Sequence, residues 1–472
     1  MLAVGDAGEL LSGCQAPSPD ESAPSPAQGV TLNVAAMAMT ATPVAPRIPV
    51  TVSATLAANE ALAARRKRGE SVLPRAFGEA GLPVHPALRA ALAGASARNA
   101  YGPVAGLPSL REAAAGYWDR RGLPTDPADV ICGPGSKPLL YGLLLALGAD
   151  VAVARPSWVS YAAQAAMTGA RAHFVPTPPE QGGVPDPALL DQAVVAARAD
   201  GRRIGSVVVT LPDNPTGTLA SPATVQALCE VAAEHDLVII SDEIYRDLVH
   251  HPAVAFSSPA AVAPERTIVT TALSKSLAVG GWRIGVARLP GAALAAHAAP
   301  SLDGLRERLL SIGSEIWSAP SGPIQQAGAY AFGEPPELVE RVARSRRLHA
   351  TVARAVAARF SAAGVAGPVP RAAFYLYPDF GPWRDRLHAR HGVSTGPGLA
   401  ALLLDRYGAG VLPGSAFGEQ TEALRLRVAT GLLYGGHDEQ REATLASPDP
   451  LAMPWVESAL ARIEEILTDL GG

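Results

Sequence analysis

VVVTLPDNPTGT (207–218), LVIISDEIYRDL (237–248) and TTALSKSLAVGGWRIG (270–285) decide how this chain folds. Each block begins as an apolar run and ends in polar, reactive side chains. Residues 207–211 and 237–241 are short and β-branched, the signature of strands buried on both faces of a parallel sheet. Between them, residues 221–235 predict a helix. Ser221 is its N-cap, Pro222 takes the first helical position, and Val225, Leu228, Val231 and Ala232 share one stripe. Strand, helix and strand make a βαβ unit, and ligands of such sheets sit outside the carboxyl ends of the strands. Asn214, Asp242 and Tyr245 follow two of those ends, and Lys275 and Arg283 follow a third, over 267–271. Five polar groups therefore converge on one rim.

Their charges suggest what the rim holds. An acidic side chain at a strand end suits a protonated ring nitrogen. A partly desolvated lysine has a lowered pKa and forms an imine with an aldehyde. A phenol and an amide hydrogen-bond a phenolate oxygen, and an arginine clamps a phosphate with two prongs. The set fits pyridoxal 5′-phosphate (PLP), an electron sink that needs a Schiff-base lysine and a carboxylate on its pyridinium nitrogen. Singly, NPTG reads as a turn and DExY as a solvated helix start; the three blocks in this order carry the inference.

NPTG, SDEIY, SKS and GWRIG in this order resemble the class I/II aminotransferases of PLP fold type I, from about Ala57 to the C-terminus. The resemblance implies a large domain with a mostly parallel seven-stranded sheet between helices, plus a smaller α/β domain. It implies that Lys275 carries the cofactor as a Schiff base and moves the proton between Cα and C4′. Asp242 then pairs with the pyridine nitrogen, Tyr245 and Asn214 contact O3′, and Arg283 binds phosphate. Domain boundaries are expected at 47–85 (an N-terminal arm and part of the small domain), 86–308 (the PLP-binding domain) and 309–472 (the small domain).

Composition excludes several other classes. With 39 basic and 43 acidic residues and a net charge of −4, nothing suggests a nucleic-acid surface. Cys14, Cys132 and Cys229 are too scattered for a disulfide framework or a CxxC metal site, and read as reduced thiols of a cytoplasmic protein. The longest apolar stretch, 139–149, is too short to span a bilayer. The first residues lack the basic n-region of a secretory signal. His250 and His251 have no third ligand at metal spacing, so no metal is expected. Residues 1–46, rich in Pro, Ser and Ala and almost devoid of cations, predict a disordered extension with no helix-turn-helix pattern.

The remaining segments add candidate contacts. Residues 57–68 predict a helix stopped at Gly69. RAFGEAGLPVHP (75–86) resembles a family segment at the substrate, which makes Gly78 a candidate, although Ala80-Gly81 departs from the usual Pro-Asp. Tyr101, with Gly106 and Leu110-Arg111 at family spacing, resembles the tyrosine that reaches the phosphate of the neighbouring subunit's cofactor, which implies a homodimer with composite sites. Strand 130–132, then GPGSK (133–137) and a helix from Pro138, forms a phosphate cradle at a helix N-terminus. Gly135, Ser136 and Lys137 are its contacts. Lys137 has two readings: it holds the distal carboxylate of an acidic substrate, as in the resembling bacterial aspartate/prephenate aminotransferases, or it only neutralises phosphate or faces solvent. After a strand at 151–154, Trp158 of WVSY resembles the family's ring-stacking residue. Residues 176–187, rich in Pro and Gly, read as a surface connection. Ala272 stands where many relatives have a hydroxyl, and Ser274 takes over that phosphate contact.

Residues 336–363 predict a long helix, and RAAFYLYPDF (371–380) and GVLPGSAFGE (410–419) resemble pieces of the small domain. ALRLRVATG (423–431) resembles the strand whose arginine holds the substrate α-carboxylate. The family register favours Arg425; alternation puts Arg427 on the same face, as a second charge or an edge device. Residues 434–454 look like an inserted surface loop beside it.

The leading expectation is an aminotransferase exchanging an amino group between an L-amino acid and a 2-oxo acid by a ping-pong route, with an acidic donor implied by Lys137. The alternative is a PLP-dependent lyase, cyclase or oxidase on the same fold. A regulator built on a PLP fold is disfavoured by the lack of a DNA-binding segment.

Overall fold

The computed structural model describes residues 53–472, apart from 71, 75, 77, 293 and 296–298. The expected extension over 1–46, with Cys14, lies outside them. The strands are β1 Leu73–Pro74, β2 Val130–Gly133, β3 Asp150–Arg155, β4 Ala172–Pro176, β5 Ile204–Thr210, β6 Val238–Asp242, β7 Thr267–Ala272, β8 Gly285–Arg288, β9 Tyr375–Leu376, β10 Ala409–Gly410, β11 Leu412–Pro413 and β12 Leu426–Ala429.

A seven-stranded sheet in the order β2-β8-β7-β6-β5-β3-β4 forms the centre. Its neighbours from β7 to β4 run parallel, and only β8 is antiparallel to β2 and β7. The β-branched runs are buried on both faces, as their sequence requires. Val207 and Val209 of β5 pack with Leu190, Val194, Val225 and Leu228 from helices on one side. Val208, with Ile240 and Ile268 of the neighbouring strands, packs with Leu139, Leu140 and Leu143 on the other. The connecting helix spans Pro222–Glu234, and Ser221 Oγ accepts from Thr224 N at 3.2 Å. Its buried stripe is Val225, Leu228, Cys229 and Ala232; Val231 is half-buried at its margin. Cys132 and Cys229 are both buried, and burial pushes each thiol up to about 12.

A three-stranded antiparallel sheet, β11-β12-β9, packs its apolar side against the helices Pro336–Ala362 and Pro454–Gly471. The early segment joins this region because β1 pairs in parallel with β10. Ahead of it, the helix Ala54–Lys67 ends at Gly69, whose φ of 77° is the left-handed stop that its sequence signals.

Two loop expectations are corrected. Residues 182–185 are buried, not a surface connection: Gly183 O accepts from Thr210 N at 2.9 Å, and Thr218 Oγ1 accepts from Gly182 N at 2.8 Å. The glycines permit that close approach, since a Cβ on Gly183 would lie 2.0 Å from Thr210 O. The stretch 434–454 is not a loop but contains the helix Asp438–Ala446, with Thr444 and Leu445 buried. It docks on the long helix through Glu442 with Arg341 at 2.8 Å, and Tyr434 Oη lies 2.5 Å from His349 Nδ1. Among the described residues no helix is long and apolar enough to cross a membrane.

Candidate active site

The carboxyl ends of β5, β6 and β7 open onto a cavity of about 400 Å³. The turn after β5 is tied by wholly buried Asp213, whose Oδ2 accepts from Thr216 N at 3.1 Å and from Thr216 Oγ1 at 2.5 Å. That leaves Asn214 facing the cavity. Asp242 ends β6 and is 3 % exposed. Its Oδ2 accepts from Tyr161 Oη at 2.9 Å and its Oδ1 from Thr270 Oγ1 at 3.4 Å. Burial pushes this carboxyl up to about 6, against the pull of those hydrogen bonds and of Lys275.

Lys275 lies in the single-turn helix Leu273–Ser276 after β7, and its Nζ donates to Gly78 O. Burial, and next the Arg427 guanidinium, push its ammonium down to about 8. Arg283 follows with a left-handed φ of 58°, and its Nη1 donates to Gly280 O at 2.9 Å. Its guanidinium lies against Gly135, where a Cβ would stand 2.4 Å from Nη2; only a glycine lets the arginine reach the N-terminus of the helix Ser136–Leu147. Ser136, Lys137 and Ser274 line the same end of the cavity. Lys137 Nζ stands 5.1 Å from the centre of the Trp158 ring, and burial and then Arg283 lower its pKa.

The three-stranded sheet supplies the opposite wall. Arg427 of β12 is 1 % exposed; its Nη1 donates to Asn214 Oδ1 at 3.0 Å and its Nη2 to Ala76 O. The rings of Tyr375 and Phe417 flank it, each 5.1 Å away. Its Nε finds no acceptor among the described residues. A buried guanidinium with a spare donor beside a polar cavity suits an incoming carboxylate. The expectation for Arg425 is corrected here. Arg425 does not line the cavity; it is exposed and bonded to Asp379 at 3.0 Å and Glu419 at 2.9 Å. Alternation put both arginines on one face, but β12 starts at Leu426, and Arg425 sits outside it, at an isolated bridge with Asp379.

Asn214, Asp242, Tyr245, Ser274, Lys275, Arg283, Ser136, Lys137, Trp158 and Gly78 thus line one cavity, with Gly135 behind Arg283. Tyr101 does not join them; it is 94 % exposed. Sequence reading missed Tyr161, Thr210 and Tyr375. Tyr161 Oη also lies 2.8 Å from Thr210 Oγ1, so Asp242 is oriented from β5, β7 and the WVSY helix at once.

The sequence profile described as aminotransferase class I and II matches residues 75–432. This chain belongs to that family. The aminotransferase is 32 % identical over 385 residues to a probable aspartate/prephenate aminotransferase of Thermus aquaticus, covering 80 % of this chain and 92 % of the relative. It is 31 % identical over 395 residues to an aspartate aminotransferase of Geobacillus stearothermophilus, covering 81 % and 93 %. Its structure resembles that of an aspartate aminotransferase from Thermus thermophilus with maleate, at a TM-score of 0.73 and 28 % identity, over 88 % of this chain and 97 % of that one. The fold is therefore type I, and the family uses PLP. The cavity's donors fit that group: a buried carboxylate for a ring cation, a lysine with a lowered pKa, and a cradle of helix N-terminus and arginine for a phosphate.

Proposed function

We propose that the aminotransferase binds PLP in this cavity and moves the amino group of an acidic L-amino acid to a 2-oxo acid in two half-reactions. The observation that carries this reading is that Lys275 and buried Arg427 open on one cavity with Asp242. Bound PLP supplies an electron sink for the pair left on the substrate Cα when its proton departs. Asp242 would hold the ring nitrogen's proton, kept in line by Tyr161 and Thr270. Asn214 and Tyr245 would meet the 3-oxygen, Trp158 the ring face, and Gly135, Ser136, Ser274 and Arg283 the phosphate. Lys275, its amine released when the substrate's amino group takes its place, would take the Cα proton and deliver it to C4′ across the intervening nitrogen, a role suited to an amine with a lowered pKa. Arg427 orients the substrate through its α-carboxylate.

Lys137 supports the acidic donor, since its ammonium lines the cavity beside Trp158, and the relatives named above are aspartate or aspartate/prephenate aminotransferases. Tyr101, exposed and away from its own cavity, supports a homodimer in which it serves the other subunit. The domain division at residues 86–308 and 309–472 is proposed on the same footing, since one sheet falls in each part.

The test is an absorbance spectrum of the PLP-loaded protein during addition of single amino acids, with a 2-oxo acid last. Aspartate or glutamate is expected to bleach the band of lysine-bound cofactor to a pyridoxamine spectrum, and the oxo acid to restore it. A band that no donor converts would move the reaction to a lyase or oxidase. Lys137→Ala is expected to lower kcat/KM for aspartate and glutamate by about tenfold, the scale of one charged hydrogen bond, and to leave alanine within about threefold. A uniform loss would assign Lys137 to the phosphate.

Titration gives a second check. Only the neutral Lys275 amine attacks an aldehyde, and its ammonium loses the proton at about 8. The rate at which cofactor-free protein takes up added PLP should rise with pH up to about 8 and level off above it. A rate flat from pH 6 to 9, or one still rising at pH 10, would contradict the lowered pKa.

A further inference from the structure

Tyr375 reaches the cavity from β9 and is wholly buried. Its Oη lies 2.8 Å from Tyr245 Oη. Its ring stands 5.1 Å from the Arg427 guanidinium. A Cβ on Gly78, whose carbonyl accepts from Lys275 Nζ, would come 2.2 Å from the same Oη. One side chain therefore meets two functional groups, Tyr245 and Arg427, and packs on the glycine that holds a third, Lys275.

The two phenols share one hydrogen bond, and either oxygen can donate. Tyr245 has a single proton. If Tyr245 donates to Tyr375, nothing remains for an oxygen in the cavity. An anionic oxygen there draws the Tyr245 proton inward, and the shared bond survives only if Tyr375 becomes the donor. Burial keeps both phenols protonated, raising the pKa of each. Asn214 Nδ2, at 3.5 Å, is the other donor towards Tyr245 Oη.

We propose that Tyr375 is a positioning residue that donates to Tyr245 Oη, so that the Tyr245 proton is aimed at the cofactor's 3-oxygen and bonds it more strongly. This rests on the reading that the cavity holds PLP. Hydrogen bonds in a chain polarise one another, so a phenol that accepts is a better donor. A stronger bond to the 3-oxygen stabilises its anion, which is most basic once the Schiff-base nitrogen has lost its proton. The relay therefore lowers the pKa of the lysine-bound cofactor.

The experiment is a spectrophotometric pH titration of that proton in the PLP-loaded wild type, Tyr375→Phe, Tyr245→Phe and the double variant. Asp242, Glu79, Lys137, Arg283 and Arg427, which also face the cavity, are present in all four. Tyr375→Phe keeps the ring beside Arg427 and removes only the hydroxyl. It should raise the pKa by roughly 0.1 to 0.6 unit, the share expected if one hydrogen bond strengthens the next by ~10–30 %. Tyr245→Phe should raise it further, and Tyr375→Phe should add nothing in that background. No shift, or an equal shift in both backgrounds, overturns the relay, because a packing role does not need the Tyr245 hydroxyl. A wild type that shows no visible band with added PLP overturns the cofactor reading first, and the relay with it.

Discussion

Lys275→Ala is expected to remove the visible band of lysine-bound PLP and to slow transamination by about 10⁴-fold or more, the upper range for loss of a positioned acid/base alone. The rest of the cavity does not depend on the amine. Asp242 is held by Tyr161 and Thr270, Asn214 by Arg427, and Arg283 by the Gly280 carbonyl. PLP should therefore still bind, through ring and phosphate contacts, and remain removable by dialysis. The partner that loses most is Gly78 O, which accepts from Nζ. Removing a buried ammonium also relieves the desolvation that holds its pKa near 8, so the variant should be no less stable than the wild type. Spectra before and after gel filtration, with single-turnover rates, check both halves. A retained band after Lys275→Ala would sink the assignment.

Arg427→Ala should lower kcat/KM for every amino acid by about 30- to 1000-fold, which corresponds to the ~2–4 kcal/mol of a two-pronged charged contact. The loss should not discriminate acidic from neutral donors, because all carry the α-carboxylate. Part of it comes through Asn214, whose Oδ1 would lose the Arg427 donor. Arg425→Ala, by contrast, removes an exposed ion pair with Asp379 and Glu419 and should change kcat/KM by no more than about threefold. Steady-state kinetics on aspartate and alanine separate the two, and the reverse order of effects would return the carboxylate to Arg425.

The residues legible in the sequence sit where a strand ends and a turn begins. Asn214, Asp242, Tyr245, Lys275 and Arg283 are such residues, because the apolar run fixes the strand and the next polar group falls on its rim. Residues missed were those whose meaning lies in a distant partner. Tyr161 lies 81 residues before Asp242 and Tyr375 130 after Tyr245, and no local pattern reports either contact. The Arg425 error has a different cause. Period-two alternation says which face a side chain takes, not where along the chain the strand begins, and β12 begins one residue too late for Arg425. At 434–454, polar residues and prolines read as a loop, while Thr444 and Leu445 supplied the buried face of a short helix and Tyr434 anchored the chain ahead of it.

The cavity draws on two sheets: Asp242 ends a strand of the seven-stranded sheet and Asn214, Lys275 and Arg283 sit in the turns beyond its strand ends, while Tyr375 and Arg427 lie on the three-stranded one. The order of synthesis follows from that split. A ribosome completes the strands that present the groups proposed to face the cofactor before it makes β9 and β12. A nascent chain thus carries the groups proposed to face the coenzyme, Lys137 among them, before it has the arginine proposed to seize the α-carboxylate common to every amino acid.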